Sequence, residues 1–424
     1  MARRKFLCLF VGVALLLDYR FCKEFGFASY YANHMVLQKE PARAVIWGYG
    51  IVGAIIHVIV QRENTAFTHK VTAVKEGGLG NISVWNVSLE PVGPGGPFLI
   101  IAEQTYFRRV DKIVLKDVYF GDIWLCGGQS NMAMTVSQII NASEELSLAS
   151  RYPYIRLFQA GLRESYHELN DLDSIAVQWS IPTAGEANTV LHTAQYNCTF
   201  PAMIEDWRQI FHQGSGGATE ADFPFGFVQL STDHHAVPDD SFPWIRWHQT
   251  ADFGYAPNSK MKRTFMAVAM DLGDEESPYG VIHPRDKQDI AYRLYLGARA
   301  VAYGETAVVF QGPFPKEVQL KNSRELTITY TEELTVLELR HDLFEVCCCT
   351  TWDLSNCKWL FVPIVNHSIN TLSLSLSQCH QKVTGIRYAW MEWPCDLKKC
   401  PLYGKDSNLP ASTFMLPSAH NGVF

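Results

Sequence analysis

The run Gly127-Gly128-Gln129-Ser130-Asn131-Met132 sets one hydroxyl side chain on a turn loosened by two glycines. Before it, Val118 to Cys126 (VYFGDIWLC) is aromatic and β-branched, and after it MAMTVSQIINA is compatible with a helix, so the order predicts strand, tight turn, helix. That order presents Ser130 at the carboxyl end of a strand, where α/β sheets hold their ligands, and makes it the candidate nucleophile. The pattern is not the Gly-x-Ser-x-Gly elbow of many hydrolases, because Met132 stands where the last glycine would be. A Ser-Asn turn or a helix cap accounts for the same residues without chemistry.

Other clusters invite other chemistry. His234-His235 with Asp239-Asp240 has metal-ligand residue types, but a Pro/Asp/Ser-rich loop is the setting of a solvated face, and no metal is expected there. Glu275 and Glu276 are adjacent, so they cannot flank a glycosidic bond across the ~5 to 9 Å that sugar hydrolysis needs. Cys347, Cys348, Cys349, Cys357, Cys379, Cys395 and Cys400 crowd the C-terminal part. They lack a Cys-x-x-Cys pair with a second half, which favours disulfides over zinc. Cys126 and Cys198 lie outside that cluster, and one of them is expected to be a buried, free thiol.

The elements that must position these groups fall into three stretches after a leader. Residues 24–115 read as a β domain, with an apolar run from Ile55 to Val60, alternation around Trp85 and Val87, and Gly/Pro punctuation at 93–97. Helical periodicity enters over residues 116–312. Met203, Ile204, Trp207, Ile210 and Phe211 share one helix face, and Pro284 to Tyr303 forms a second helix that Gly304 can end. Mixed strands and helices there predict an α/β domain with a mostly parallel sheet. Over 313–424 β signals return at Leu326–Tyr330, Leu334–Leu339, Leu372–Leu376 and Val383–Trp390.

Composition narrows the function classes. The 424 residues are 47% hydrophobic and 19% charged, as in an ordinary globular protein. A net charge of -7 with no sustained Lys/Arg stripe argues against nucleic acid as a partner. Arg3-Arg4-Lys5 followed by Phe6–Leu17 reads as a signal peptide ending near residue 23, so no stable membrane insertion is expected after cleavage. Export would give meaning to the Asn-x-Ser/Thr sequons at Asn81, Asn86, Asn141, Asn197 and Asn366 and to the cysteine cluster.

Several longer stretches carry a resemblance: FASYYANHMVLQKEPARAVIWGYG from Phe27, FGDIWLCGGQSNM from Phe120, NCTFPAMIEDWR from Asn197, IRWHQTADFG from Ile245 and IHPRDK from Ile282. Together they resemble the sialate O-acetylesterase family, within the Ser-Gly-Asn-His (SGNH) esterase group, over most of the chain. The resemblance implies an α/β SGNH-type esterase domain flanked by N-terminal and C-terminal β domains. It implies hydrolysis of O-acetyl esters of sialic acids, chiefly at O-9, with no cofactor, and a lysosomal or secreted location. Ser130 would be the nucleophile and His283, at the mouth of a helix before Pro284, the general base.

The departures from the family pattern matter as much. After Gln178–Thr183 the family would continue through a Ser-Trp-Gly-Gly block and a strand ending Trp-Tyr-Gln-Gly-Glu-Ser-Asn. Here AGEANTVLHTAQYNCTF follows, so this is a shortened form lacking strand-helix units. The glycine that would lend a backbone N–H to the oxyanion hole has no counterpart, whereas Asn188 matches the family's side-chain donor. The acid that orients the histidine is open. The wider group often has Asp three residues before it, where this chain has Gly280. Asp271, at the end of the strand-like Phe265–Met270, is the first candidate; Asp274, or a Ser-His dyad without an acid, is the alternative. The substrate would be O-acetylated sialic acid, free or on a glycoconjugate. The rival reading is a catalytically inactive secretory glycoprotein, since lost units would expose sheet edges and apolar faces.

Overall fold

A computed structural model describes residues 24–63, 65–77, 82–149, 151–180, 196–235, 240–322, 324–337, 342–349 and 358–417. The leader, Asn188 and Asp239 lie outside the described residues. The chain divides into two compact units, residues 1–124 with 152–182, and residues 125–151 with 183–424.

In the first unit, two sheets enclose one core. Ile55–Arg62 alternates buried and partly exposed side chains, so Ile56, Val58 and Val60 point inward as Ile100 and Ala102 do on its antiparallel neighbour Gly95–Tyr106. That five-stranded sheet runs Val36–Gln38, Arg109–Gly121, Gly95–Tyr106, Ile55–Arg62, Thr65–Ala73. The second, four-stranded sheet contributes Ile46, Trp85 and Val87 to the same core. The pair Leu157–Ala160 and Ile175–Ser180 adds Trp179, whose indole N–H donates to Tyr30 O at 2.9 Å.

The second unit holds the five α-helices found among the described residues: α1 (Ser130–Ala133), α2 (Ala142–Ala149), α3 (Tyr196–Gly214), α4 (Ser241–His248) and α5 (Lys287–Val301). Of the apolar stripe read on α3, Ile204 is buried, but Ile210 and Phe211 are exposed. Helix α5 starts where Asp286 caps it by accepting from Asp289 N–H, and Gly304 follows its end at φ +71°. It packs on Thr264–Ala267 closely enough that a Cβ on Gly297 would lie 2.4 Å from Phe265. Residues 315–417 form antiparallel sheets around Leu326, Ile328, Phe344, Leu372, Ile386 and Phe414. Disulfides join Cys348 to Cys379 and Cys395 to Cys400, whereas Cys126 is a free thiol and, like Cys198, exposed rather than buried.

The expected mostly parallel α/β core is not what forms. The structure is mostly β, 36% strand and 16% helix, in many small antiparallel sheets. In the second unit, parallel pairing among the described residues is confined to Phe225–Val228 with Thr264–Ala267. The reason is topological: each parallel neighbour needs a crossover unit, and too few remain to build a sheet covered on both faces. The strand expected to reach Cys126 ends at Gly121, inside the first unit's sheet. Ile123, Trp124 and Leu125 are left 50%, 46% and 69% exposed, although their composition is that of a buried parallel strand.

Candidate active site

Ser130 is the first residue of α1, a single turn whose N-cap is Gln129. It follows an exposed segment that forms no strand, so it does not sit at the end of a parallel strand. The turn is tight enough that a Cβ on Gly128 would fall 2.3 Å from Met132 Cγ. Ser130 itself is half-buried.

The structure brings this turn to the loop that carries His283. Asn131 Nδ2 donates to Ile282 O at 3.0 Å, linking the residue after the serine to the residue before the histidine. Lys287 Nζ donates to Asn131 Oδ1 at 2.7 Å. Further along, Ile140 N–H donates to Arg285 O at 3.1 Å, and Gln288 Nε2 to Ile140 O at 2.5 Å. Segment 130–140 is therefore fastened at several points to the His283 loop and the first residues of α5.

His283 is held through its backbone. Its N–H donates to Gly280 O at 2.9 Å, and its carbonyl accepts from Ser277 Oγ at 2.7 Å. The ring Nδ1 is buried without a hydrogen-bond partner among the described residues. Gly280, where the wider group often has Asp, adopts φ +95° and comes so near that a Cβ there would lie 3.6 Å from Nδ1.

Neither aspartate expected to orient the imidazole is hydrogen-bonded to it. Asp271 is fully buried and receives Arg293 Nη1 at 2.6 Å, Arg293 Nη2 at 2.8 Å and the Tyr403 hydroxyl at 3.0 Å. Burial pulls the Arg293 guanidinium down, but the hydrogen bonds and charge of Asp271 outweigh this and leave it raised. Burial and the Asp271 carboxylate together push the Tyr403 phenol far up. The cluster is thus a buried ion pair that fastens α5 to the end of the parallel pair, and its fixed geometry commits both carboxylate oxygens. Asp274 accepts from Arg285 N, Nε and Nη2 at 3.0, 2.7 and 2.9 Å. The Arg285 side chain holds its carboxyl below the usual carboxylate range. Asn188, the expected oxyanion donor, lies outside the described residues.

The Asp274–Arg285 pair closes the base of the His283 loop, and a pH dependence follows. Its folded pKa is depressed below the ordinary 3.8, so its contribution is present above that value and lost as pH falls through the folded pKa. Asp274→Asn should flatten the decline of the urea midpoint between about pH 5 and pH 2. A variant that loses stability in parallel with the parent over that range would show that the pair contributes nothing there.

Two of the quoted motifs serve structure. Arg246, in IRWHQTADFG, is fully buried and donates to the carbonyls of Leu230, Ser231, Met391 and Glu392 at 2.7–2.9 Å. Burial lowers its pKa to about 9. Asp252 accepts from Asn197 Nδ2 at 2.9 Å and contacts His248 Nδ1 at 2.6 Å, so Asn197 is engaged internally, whereas sequon residues Asn86, Asn141 and Asn366 are exposed. In the cluster weighed for metal, His234 meets Asp233 and Glu392 rather than Asp240, and Glu392 accepts from the His234 backbone N–H at 2.7 Å. His235 stacks on Trp393. Spacing along the chain gave no signal for Glu392, Arg293 or Tyr403, which reach these clusters only through the fold. Asn131 and Lys287 stood inside quoted motifs but were not singled out.

Comparison with known proteins places this geometry in context. The sialate O-acetylesterase C-terminal domain family matches residues 316–418. The sialate O-acetylesterase of Homo sapiens is 40% identical over 489 aligned positions, covering 92% of each chain. That of Mus musculus is 38% identical over 540 positions, covering 97% of this chain and 98% of its own. Because 92% of 424 residues is about 390, about a hundred of the 489 positions have no residue here, which marks an internal shortening. Identity at this level over nearly the whole of both chains is decisive: the chain belongs to the sialate O-acetylesterase family.

Proposed function

We propose that this protein is a serine esterase that releases acetate from O-acetylated sialic acids, with Ser130 as nucleophile and His283 as general base. The observation that carries the site is the Asn131 Nδ2 to Ile282 O hydrogen bond, which joins the neighbours of the two residues. The substrate class rests on the relatives named sialate O-acetylesterase, and O-9 is the acetyl position that the family resemblance favours.

In this reading His283 takes the Ser130 proton as Oγ adds to the acetyl carbonyl. The tetrahedral oxyanion is met by the Ser130 backbone N–H and the Asn188 side chain. Collapse expels the sugar hydroxyl, which receives the proton from His283, and water then hydrolyses the acetyl-serine. The chemistry requires no metal or organic cofactor. With Asp271 and Asp274 engaged by arginines, a Ser-His dyad is the form the geometry supports best. The disulfides support a secretory route, lysosomal or extracellular, because such bonds persist in oxidising compartments. No helix of the described residues is long and apolar enough to cross a membrane.

A fluorophosphonate probe tests the site directly. An activated serine displaces fluoride from phosphorus, so Ser130 should be modified in folded protein and protected by O-acetylated sialic acid. Folded protein that hydrolyses the substrate yet carries the probe on a different serine would relocate the site.

A further inference from the structure

Lys287 is the first residue of α5, and the Ser-His assignment gives it no task. Its ammonium donates to Asn131 Oδ1, while the other end of the same amide donates to Ile282 O. One side chain thus spans from the serine turn to the histidine loop, and the lysine fixes which way its amide faces. Among the described residues Lys287 makes no ion pair. Asp274 and Asp286 lie near enough to favour its charge, but Arg285 holds the first and Lys398 the second. Burial outweighs both acids and brings the ammonium down to about 8. A half-buried cation without its own counter-ion is costly to keep unless it serves a site. The Ile140–Arg285 and Gln288–Ile140 hydrogen bonds would still dock the segment without Lys287, so its removal should disturb orientation more than folding.

We propose that Lys287 is a positioning residue for the esterase site: by holding Asn131 Oδ1 it aims Asn131 Nδ2 at Ile282 O and so sets Ser130 against His283. This rests on the functional reading above. The charged lysine is the stronger donor, so the hold weakens as pH rises past about 8, in an environment that also contains Asp274 and Asp286, held by Arg285 and Lys398.

The test compares acetate release from O-acetylated sialic acid by the full chain and its Lys287→Met, Lys287→Arg, Asn131→Ala and Ser130→Ala variants, with melting temperatures for each. Lys287→Met should lower kcat roughly 10- to 100-fold with little change in KM, as expected for a misplaced reacting group. Its melting temperature should be equal or higher, since a half-buried charge is removed. Lys287→Arg should restore most of kcat and shift the alkaline limb upward. Adding Asn131→Ala to Lys287→Met should cost little more, because both break one connection. Wild-type kcat in Lys287→Met beside an inactive Ser130→Ala would overturn the positioning role and leave the nucleophile in place. A loss of kcat matched by a fall in melting temperature, with no rescue by arginine, would overturn it in favour of a purely structural role. Full activity in Ser130→Ala would overturn the site itself.

Discussion

Ser130→Ala is expected to reduce acetate release by on the order of 10⁴-fold or more, and His283→Ala by a similar factor, with the double variant no worse than either. The hydroxyl is a poor nucleophile until a base removes its proton, so nucleophile and base act as one unit and their losses do not add. Ser130 is half-buried at the start of a single helical turn, and its alanine variant should keep most of the parent's stability. The starting turnover should already be modest. Among the described residues the imidazole has no carboxylate partner, and a missing oxyanion donor typically costs ~10²- to 10³-fold. Steady-state acetate release across the three variants and the parent provides the measurement. Additive losses, or undiminished turnover in either single variant, would mean that these two residues do not form the reacting pair.

Asp271→Ala is expected to destabilise the protein by about 3–5 kcal/mol, because it strands the Arg293 charge in the interior. The loss should appear as a lowered urea midpoint. The double variant Asp271→Leu with Arg293→Met should recover part of it, since a buried pair replaced by apolar groups of similar volume is often close to neutral. Tyr403 would then keep an unanswered hydroxyl, which limits the recovery. The same variants separate a structural aspartate from a catalytic one. Under folding conditions Asp271→Ala should retain kcat per folded molecule, whereas an acid orienting His283 would lower kcat by orders of magnitude with stability intact. A stable, inactive Asp271→Ala would reinstate the role that its position after a strand suggests.

The exposed segment Ile123 to Leu125 shows what shortening does to the fold. Its residue types suit a strand covered on both faces, yet it is exposed and forms no strand. The family words on either side survive because they are local: GGQSNM makes its own turn, and IHPRDK makes its own loop and helix start.

What the sequence by itself determined was therefore local and compositional. The alternation in Ile55–Arg62, the return of strands after residue 314, the helix over 287–301 and the extended family words all rest on short-range periodicity and residue type. The serine and the histidine were legible because each sits in such a word. The tertiary structure decided the partners. Asp271 faces Arg293 and Tyr403 across 22 and 132 residues, and Asn131 reaches Ile282 across 151. Strand propensity is likewise local, but whether a strand joins a parallel sheet depends on distant neighbours. Half of the antiparallel pairings among the described residues join consecutive strands, where loop closure costs least entropy, whereas pairings such as Ile55–Arg62 with Gly95–Tyr106 and Phe344–Cys349 with Lys382–Tyr388 needed the tertiary fold to bring distant strands together.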